Sequence, residues 1–253
     1  MPAGITWLYS DSDADTPAAD KTASSLAFQA GDRILVVGYA YSNGNGSTHN
    51  MGVTTSAVTN TITWPISISS AYNTLSSSAF PTRMTVLLSS ELTADETFNV
   101  TLDYQTSSGN TYYGVMGVAR VTGITGTVVR SGSDIGAYRD DDASIALGGA
   151  ITSGNLALMI LGMSGPTPFT LDTIPTNFAQ VASSASTTTG DTGIVAISSI
   201  TATASTIAWG YEAATNDADF MCAVALELEA SGGGGGTKAL PIKRNPIRSL
   251  IVR

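Results

Sequence analysis

Short runs of β-branched, aromatic and long aliphatic residues alternate with clusters of glycine, serine, asparagine and aspartate along most of the chain. The clearest run places Phe98, Val100, Leu102 and Tyr104 at every second position, with polar residues between them. A period of two indicates a strand with one face on a core. Because no segment shows a helical period, the pattern predicts an all-β fold of about ten strands.

Two stretches, residues 33–41 and 154–163, are instead almost continuously apolar. A strand needs apolar side chains on both faces only where both faces are covered. These stretches therefore predict central strands that lie between two layers or at a subunit contact.

The sequence also contains a weak internal repeat. A shift of 107 residues places residues 100–123 on residues 207–230, so that Leu102 falls on Trp209 and Tyr104 on Tyr211. The glycine-headed apolar strand at 31 is echoed at 154. We interpret the chain as two pseudo-repeated halves that share a single antiparallel β-sandwich; the alternative is that any two antiparallel hairpins look alike.

The body of the fold is predicted to cover residues 1–231, and a glycine run at 232–236 forms a hinge with little conformational preference. Residues 237–253 follow as an arm. Its two prolines, Pro241 and Pro246, favour an extended path over a helix.

Charge separates sharply at the hinge. The 253-residue chain has a net charge of −9, but the body holds six basic and twenty acidic residues, whereas the arm holds five basic residues and no acid. Aliphatic residues lie between these cations, so the arm carries too much apolar surface for a solvated linker. It is predicted to bind a partner, for example by adding a strand to a neighbour's sheet, through Lys238, Leu240, Ile242, Lys243, Arg244, Ile247, Arg248, Leu250, Ile251 and Arg253.

Candidate catalytic chemistry is sparse. The single histidine, His49, lies in a glycine- and asparagine-rich stretch, and the single cysteine, Cys222, lies on the apolar face of a predicted strand. Nucleophile elbows, phosphate loops and dinucleotide fingerprints do not occur in the sequence. We predict a protein that is not an enzyme and needs no cofactor. Carboxylate pairs for glycoside hydrolysis remain an alternative, with candidates at Glu91, Asp95, Glu96 and residues 140–142.

A metal site is a second alternative. Asp11, Asp13 and Asp15 repeat the alternate-acid start of a calcium loop. Thr16 stands where that loop needs glycine, and Thr22 where it needs glutamate. The three aspartates are therefore weak candidates, and a solvated acidic loop is the preferred interpretation.

The acidic body is a poor partner for nucleic acid, because it repels phosphate. No window has the length of a membrane span, and the first ten residues lack the pattern of an export signal. A glycan partner would need exposed aromatic faces; Tyr72, Tyr112 and Tyr138 are the candidates, because Trp209 lies on the inward face of the repeat.

In order of elements, the chain resembles surface proteins of tailed-bacteriophage virions over about residues 26–230. The resemblance rests on the strand after Gly31, the Thr61–Trp64 stretch, the alternating strand at 98–104, and residues 114–123. It implies a jelly-roll-like sandwich that serves as a capsid decoration, head-spike or tail-surface protein, with no catalytic residues.

On this resemblance we expect a virion structural protein made in the host cytoplasm. Its partners would be capsid or tail subunits and further copies of itself, commonly as a trimer. The alternative function is a host-recognition or carbohydrate-binding module of a tail fibre or adhesin, which would bind a glycan on the host surface.

Overall fold

A computed structural model describes residues 2–11, 20–42, 50–56, 58–72, 82–105, 112–135, 142–164, 169–171, 173–183, 192–213 and 220–232. Every regular element in these residues is a β-strand, and all strand pairs are antiparallel. The prediction of an all-β fold is confirmed.

The first half of the chain contributes eight strands. They are β1 (Gly4–Ser10), β2 (Lys21–Phe28), β3 (Arg33–Ser42), β4 (Asn50–Thr55), β5 (Ile66–Tyr72), β6 (Thr82–Leu88), β7 (Glu96–Gln105) and β8 (Tyr112–Thr122). The second half contributes β9 (Ile124–Ile135), β10 (Asp142–Ala146), β11 (Leu156–Ser164), β12 (Phe169–Leu171), β13 (Ala179–Ser183), β14 (Thr192–Ser199), β15 (Thr206–Ala213) and β16 (Phe220–Ala230).

Each half builds one five-stranded and one three-stranded sheet. In the first half the strand orders are β1-β8-β3-β6-β5 and β2-β7-β4. In the second half they are β9-β16-β11-β14-β13 and β10-β15-β12, read from the matching edge. Adding eight to each strand number of the first half gives the second half, so the two halves have the same strand order.

Three apolar clusters separate these four sheets. The central cluster lies between the two five-stranded sheets and includes Leu35, Val37, Leu158, Ile160 and Val224. A second cluster joins the outer face of the first five-stranded sheet to β2-β7-β4. A third joins the second five-stranded sheet to β10-β15-β12. The molecule therefore has four layers, with a five-stranded sheet of each half in the middle.

This arrangement differs from the expected single sandwich of about ten strands, because the described residues contain sixteen strands in four sheets. The physical reason is that the apolar run of each half is a central strand, β3 or β11, that is buried on both faces. Covering both faces requires an additional outer layer in each half. The prediction that these two runs lie between layers is confirmed.

Strand register agrees with both sequence shifts. Val121 on β8 pairs with Arg33 on β3, and Leu228 on β16 pairs with Leu156 on β11. Adding 107 to the residue number on β8 and 123 to the residue number on β3 gives the second pair. The echo between Gly31 and Gly154 is also structural, since both glycines adopt a positive φ, 89° and 93°, ahead of the central strand.

Tyr39 on β3 and Gly162 on β11 occupy equivalent positions in the two halves and meet across the central cluster. Tyr39 is fully buried, and a Cβ added at Gly162 would lie 2.3 Å from its Cδ2 atom. Only glycine lets the two sheets approach around this ring. The contact fixes the spacing of the central layers where the halves meet.

Replacing Gly162 with alanine should destabilise the protein by about 1–3 kcal/mol, because an added methyl group overpacks the contact with the Tyr39 ring. Gly4→Ala is the matched control, since its added Cβ would have only an ordinary contact, 3.6 Å from the Thr122 hydroxyl. Urea unfolding of both variants measures the difference. Equal free energies of unfolding for the two variants would contradict this packing.

Candidate functional site

The strand directions give the body two distinct ends. We call the end at which β8 passes to β9 through Gly123 the junction end, and the opposite end the far end. Strands β3 and β11 begin at the junction end, while β8 and β16 finish there. The contact between Tyr39 and Gly162, near the last residues of β3 and β11, shows that the far ends of both halves lie side by side.

Arg33 connects the two halves at the junction end. Its guanidinium donates to the Ser89 carbonyl at 3.2 Å in the first half and to the Thr125 carbonyl at 2.9 Å in the second half. The same group lies 3.4 Å from a carboxylate oxygen of Glu91. One side chain thereby holds the start of β9 against the end of β6.

The described chain ends at this junction. The Ser231 amide donates to the Gly123 carbonyl at 2.8 Å, and Gly232 then turns the backbone with a φ of 84°. Beside them the Thr125 hydroxyl donates to Glu229 at 2.8 Å. The last described residues are therefore held at the junction end, beside the exposed carboxylate of Glu229.

Glu227 lies behind this exit with a side chain that is 0 % exposed. Its oxygens accept hydrogen bonds from the Thr152 amide at 2.9 Å, from the Asn155 side chain at 2.7 Å, and from Arg130. Asn155 in turn accepts from the Ala230 amide at 3.0 Å. Burial alone would raise the pKa of Glu227, but the three donors outweigh it and hold the pKa below its ordinary value.

The first half has a counterpart with changed chemistry. The 107-residue shift places Arg120 on Glu227, and the 123-residue shift places Asp32 on Asn155. Arg120 lies 4.0 Å from the buried carboxylate of Asp32. Each half thus balances charge at the same place, with an arginine and aspartate in one half and a glutamate bound by asparagine and Arg130 in the other.

Three of the acids considered for hydrolysis are engaged in structural contacts. Asp95 accepts the Ala30 amide at 2.8 Å, and Glu91 pairs with Arg33. Glu96 accepts the Thr59 amide at 2.6 Å and both donors of Asn60; the Thr59 bond makes the largest contribution to lowering its pKa. These carboxylates hold turns at the junction end, and residues 140 and 141 lie outside the described residues.

Of the three aspartates considered for calcium, the structure describes only Asp11. Its carboxylate accepts the Met116 amide at 2.6 Å and lies 3.6 Å from the Lys21 ammonium. Asp13 and Asp15 fall outside the described residues. Within the described parts of the chain, no group of three His, Cys, Asp or Glu side chains is placed to hold a metal ion.

Cys222 is fully buried in the central cluster and Trp209 is 3 % exposed in an outer cluster, so the inward positions predicted for both are confirmed. Tyr72 is the last residue of β5 and Tyr112 the first of β8, which places both at the far end. Tyr138, between β9 and β10, and His49, between β3 and β4, both lie outside the described residues. All predicted arm residues, from Lys238 to Arg253, also lie outside the described residues.

Sequence reasoning missed the residues that fix the exit, namely Arg33, Asn155 and Glu227. A usable signal was present: the repeat that aligns apolar residues also places Arg120 on Glu227, and each of these charged residues lies between two apolar neighbours in its strand. A charge at such a position needs a buried partner.

Comparisons with models of protein families, with curated proteins and with solved structures give no match. Among the described residues, no helix is present that could cross a membrane.

Replacing Glu227 with glutamine should destabilise the body by about 3 kcal/mol at neutral pH, because Arg130 would lose its charged partner. Glu229→Gln is the matched control; this exposed neighbour should change the free energy of unfolding by less than about 0.5 kcal/mol. Urea unfolding compares the two. An equal loss in both variants would contradict a structural role specific to Glu227.

The pH dependence of the same variant tests the lowered pKa. A carboxylate with a folded-state pKa below its unfolded value stabilises the protein above the unfolded value and loses that contribution as pH falls. The stability difference between the unaltered protein and Glu227→Gln should therefore be constant near neutral pH. It should shrink below about pH 4.5, the ordinary value for this group. Unfolding midpoints between pH 7 and 3 measure it; a difference that grows towards low pH would have the wrong sign.

Proposed function

We propose that this chain is a non-enzymatic structural protein of a phage virion, a capsid decoration or a component of the head or tail surface, anchored to neighbouring subunits by its basic C-terminal arm. The observation that carries the proposal is the fixed exit of the arm at the junction end. The residues before the hinge are held there, Ser231 by Gly123, Ala230 by Asn155 and Glu229 by Thr125.

The separation of the two ends supports an anchoring role. Strand β16 finishes at the junction end, whereas β1, β3, β5 and β7 and their counterparts in the second half finish at the far end. A protein fixed to a particle through one end presents the other end to its surroundings. This layout suits a surface component of a larger assembly.

Charge supports a protein partner for the arm. The body has six basic and twenty acidic residues, and the five cations of the arm are separated by aliphatic residues. Acidic protein surfaces attract such a segment, and its apolar residues gain by burial at an interface.

The strand order supports a jelly-roll assignment for each half. The sequence of neighbours β1-β8-β3-β6 and β2-β7-β4 is that of eight antiparallel strands wound as a double Greek key. In this chain β5 pairs with β6 at the edge of the larger sheet. We infer two jelly-roll-like halves in one body.

Deleting residues 233–253 should leave a folded body that no longer joins particles. The fold should survive because every described strand lies before residue 233. Circular dichroism and thermal melting check the body, and the amount of tagged protein in purified particles checks incorporation. A matched control keeps the full arm and changes only Asn245→Ala. Incorporation of the truncated body at the level of the full chain would end the anchoring proposal.

A second function, recognition of a host-surface glycan, is favoured by the position of Tyr72 and Tyr112 at the far end. Aromatic faces beside polar groups bind sugar rings. The two roles are compatible, because binding would use the end opposite to the arm.

The body without the arm distinguishes these functions. If the far end recognises glycans, the truncated body should still bind host cells, and Tyr112→Ala should reduce that binding at least about tenfold, as expected for a loss of about 1.4 kcal/mol. The control is Tyr9→Ala, another tyrosine replacement, on strand β1. Trp209 is not used as a control, because it is buried. Binding that depends wholly on the arm would exclude this second role.

A further inference from the structure

The described body offers one long sheet edge at the place where the arm leaves. Strand β9 forms the edge of the second five-stranded sheet, and no other described strand pairs with its outer side. It begins at Ile124, directly after Gly123, the residue that accepts the hydrogen bond from Ser231. The arm therefore starts beside this edge.

Strand β9 is longer than the other described edge strands. It has twelve residues, whereas the edges β1, β2, β4, β5, β10, β12 and β13 have between three and eight. Unpaired edges attract further strands unless they are short, bulged or charged. By length, β9 is the edge best able to accept another strand.

Only part of β9 is regular. Its pairing with β16 shifts register at Val129 and again between Val128 and Ile124, and both irregularities lie near the junction end. From Arg130 to Ile135 the pairing with Cys222–Glu227 is continuous. Six consecutive residues of regular backbone therefore lie at this edge, with Ser131 and Ser133 exposed. Strand β10 packs beside them, since the Ser144 amide donates to the Asp134 carboxylate at 2.9 Å.

The end of the arm matches this stretch in length and composition. After Pro246 the chain continues as Ile-Arg-Ser-Leu-Ile-Val-Arg, seven residues without proline and rich in β-branched side chains. Such a segment favours a strand, and its two arginines suit an acidic body. The preceding residues include both prolines, so they cannot supply an uninterrupted strand.

Charge argues for the edge of another copy. The body alone has a net charge of −14, so two bodies repel each other unless positive charge lies between them. An arm that crosses from one copy to the next places its cations in that gap. The five-glycine run extends to about 17 Å and imposes little direction, so exchange of arms between identical copies costs little.

We propose that residues 247–253 of one copy add a strand to the regular part of β9, Arg130–Ile135, in a second copy of this chain. The inference rests on the proposed anchoring function and names one partner of the arm. It gives a homo-oligomer in which the arms of neighbouring copies are exchanged.

Disulfide trapping tests the pairing in the full chain. A Ser133→Cys variant is mixed with a Ser249→Cys variant under mild oxidation, and covalent dimers are measured on non-reducing gels. Cys222 is fully buried, so it should not contribute. The control replaces Ser133→Cys with Ser24→Cys, a cysteine at an exposed position on the edge strand β2. We expect the Ser133 pair to form dimers at least ten times faster than the Ser24 pair.

Equal rates for the two pairs, or no dimers at all, would overturn the inference. A variant that carries both Ser133→Cys and Ser249→Cys provides a further test. Cross-links that form only within one chain, and never between two chains, would also overturn the inference. The two proposals fail separately: if deletion of residues 233–253 abolishes incorporation but the trapped dimers do not form, the arm anchors the protein elsewhere. If the deletion has no effect on incorporation, the anchoring function itself fails.

Discussion

The structure depends on burying both faces of each five-stranded sheet. Strands β3 and β11 have apolar side chains on both sides, so each sheet needs one layer from its own half and one from the other half. The shared central cluster provides the second layer for both sheets at once. A five-stranded sheet of either half would otherwise expose a large apolar face, which soluble proteins rarely tolerate. The tight contact of Tyr39 with Gly162 is the local consequence, since two central layers must meet closely along their length.

Much of this fold could be predicted from the sequence, but the number of layers could not. The alternation from Phe98 to Tyr104 correctly indicates a strand with one buried face, and the repeat correctly aligns β8 with β16. Alternation shows that a face is buried, without showing which sheet covers it. Strands such as Lys21–Phe28 and Ala179–Ser183 are rich in alanine and serine, which give little strand signal, so the strand count was too low.

The candidate site was less predictable, because its residues act through contacts between distant parts of the chain. Arg33 and Thr125 are ninety-two positions apart, and Glu227 and Asn155 are seventy-two apart. Composition separates the basic residues 237–253 from the acidic residues 1–231, and that separation identifies the C-terminal segment as the one to test. It could not show that β16, the last described strand, ends beside the start of β9, since this follows from the antiparallel pairing of β9 with β16.

The repeated strand order places a short and a long strand at equivalent sheet edges of the two halves. Strand β1 corresponds to β9 in the repeated order, yet β1 has seven residues and β9 has twelve. Strand β9 begins at Ile124, directly after Gly123 at the junction end, and runs to Ile135 before β10 starts. The last strand, β16, returns along β9 to the same place. A chain built this way finishes its last described strand at the start of the longest described sheet edge, so the residues that follow Gly232 begin beside that edge.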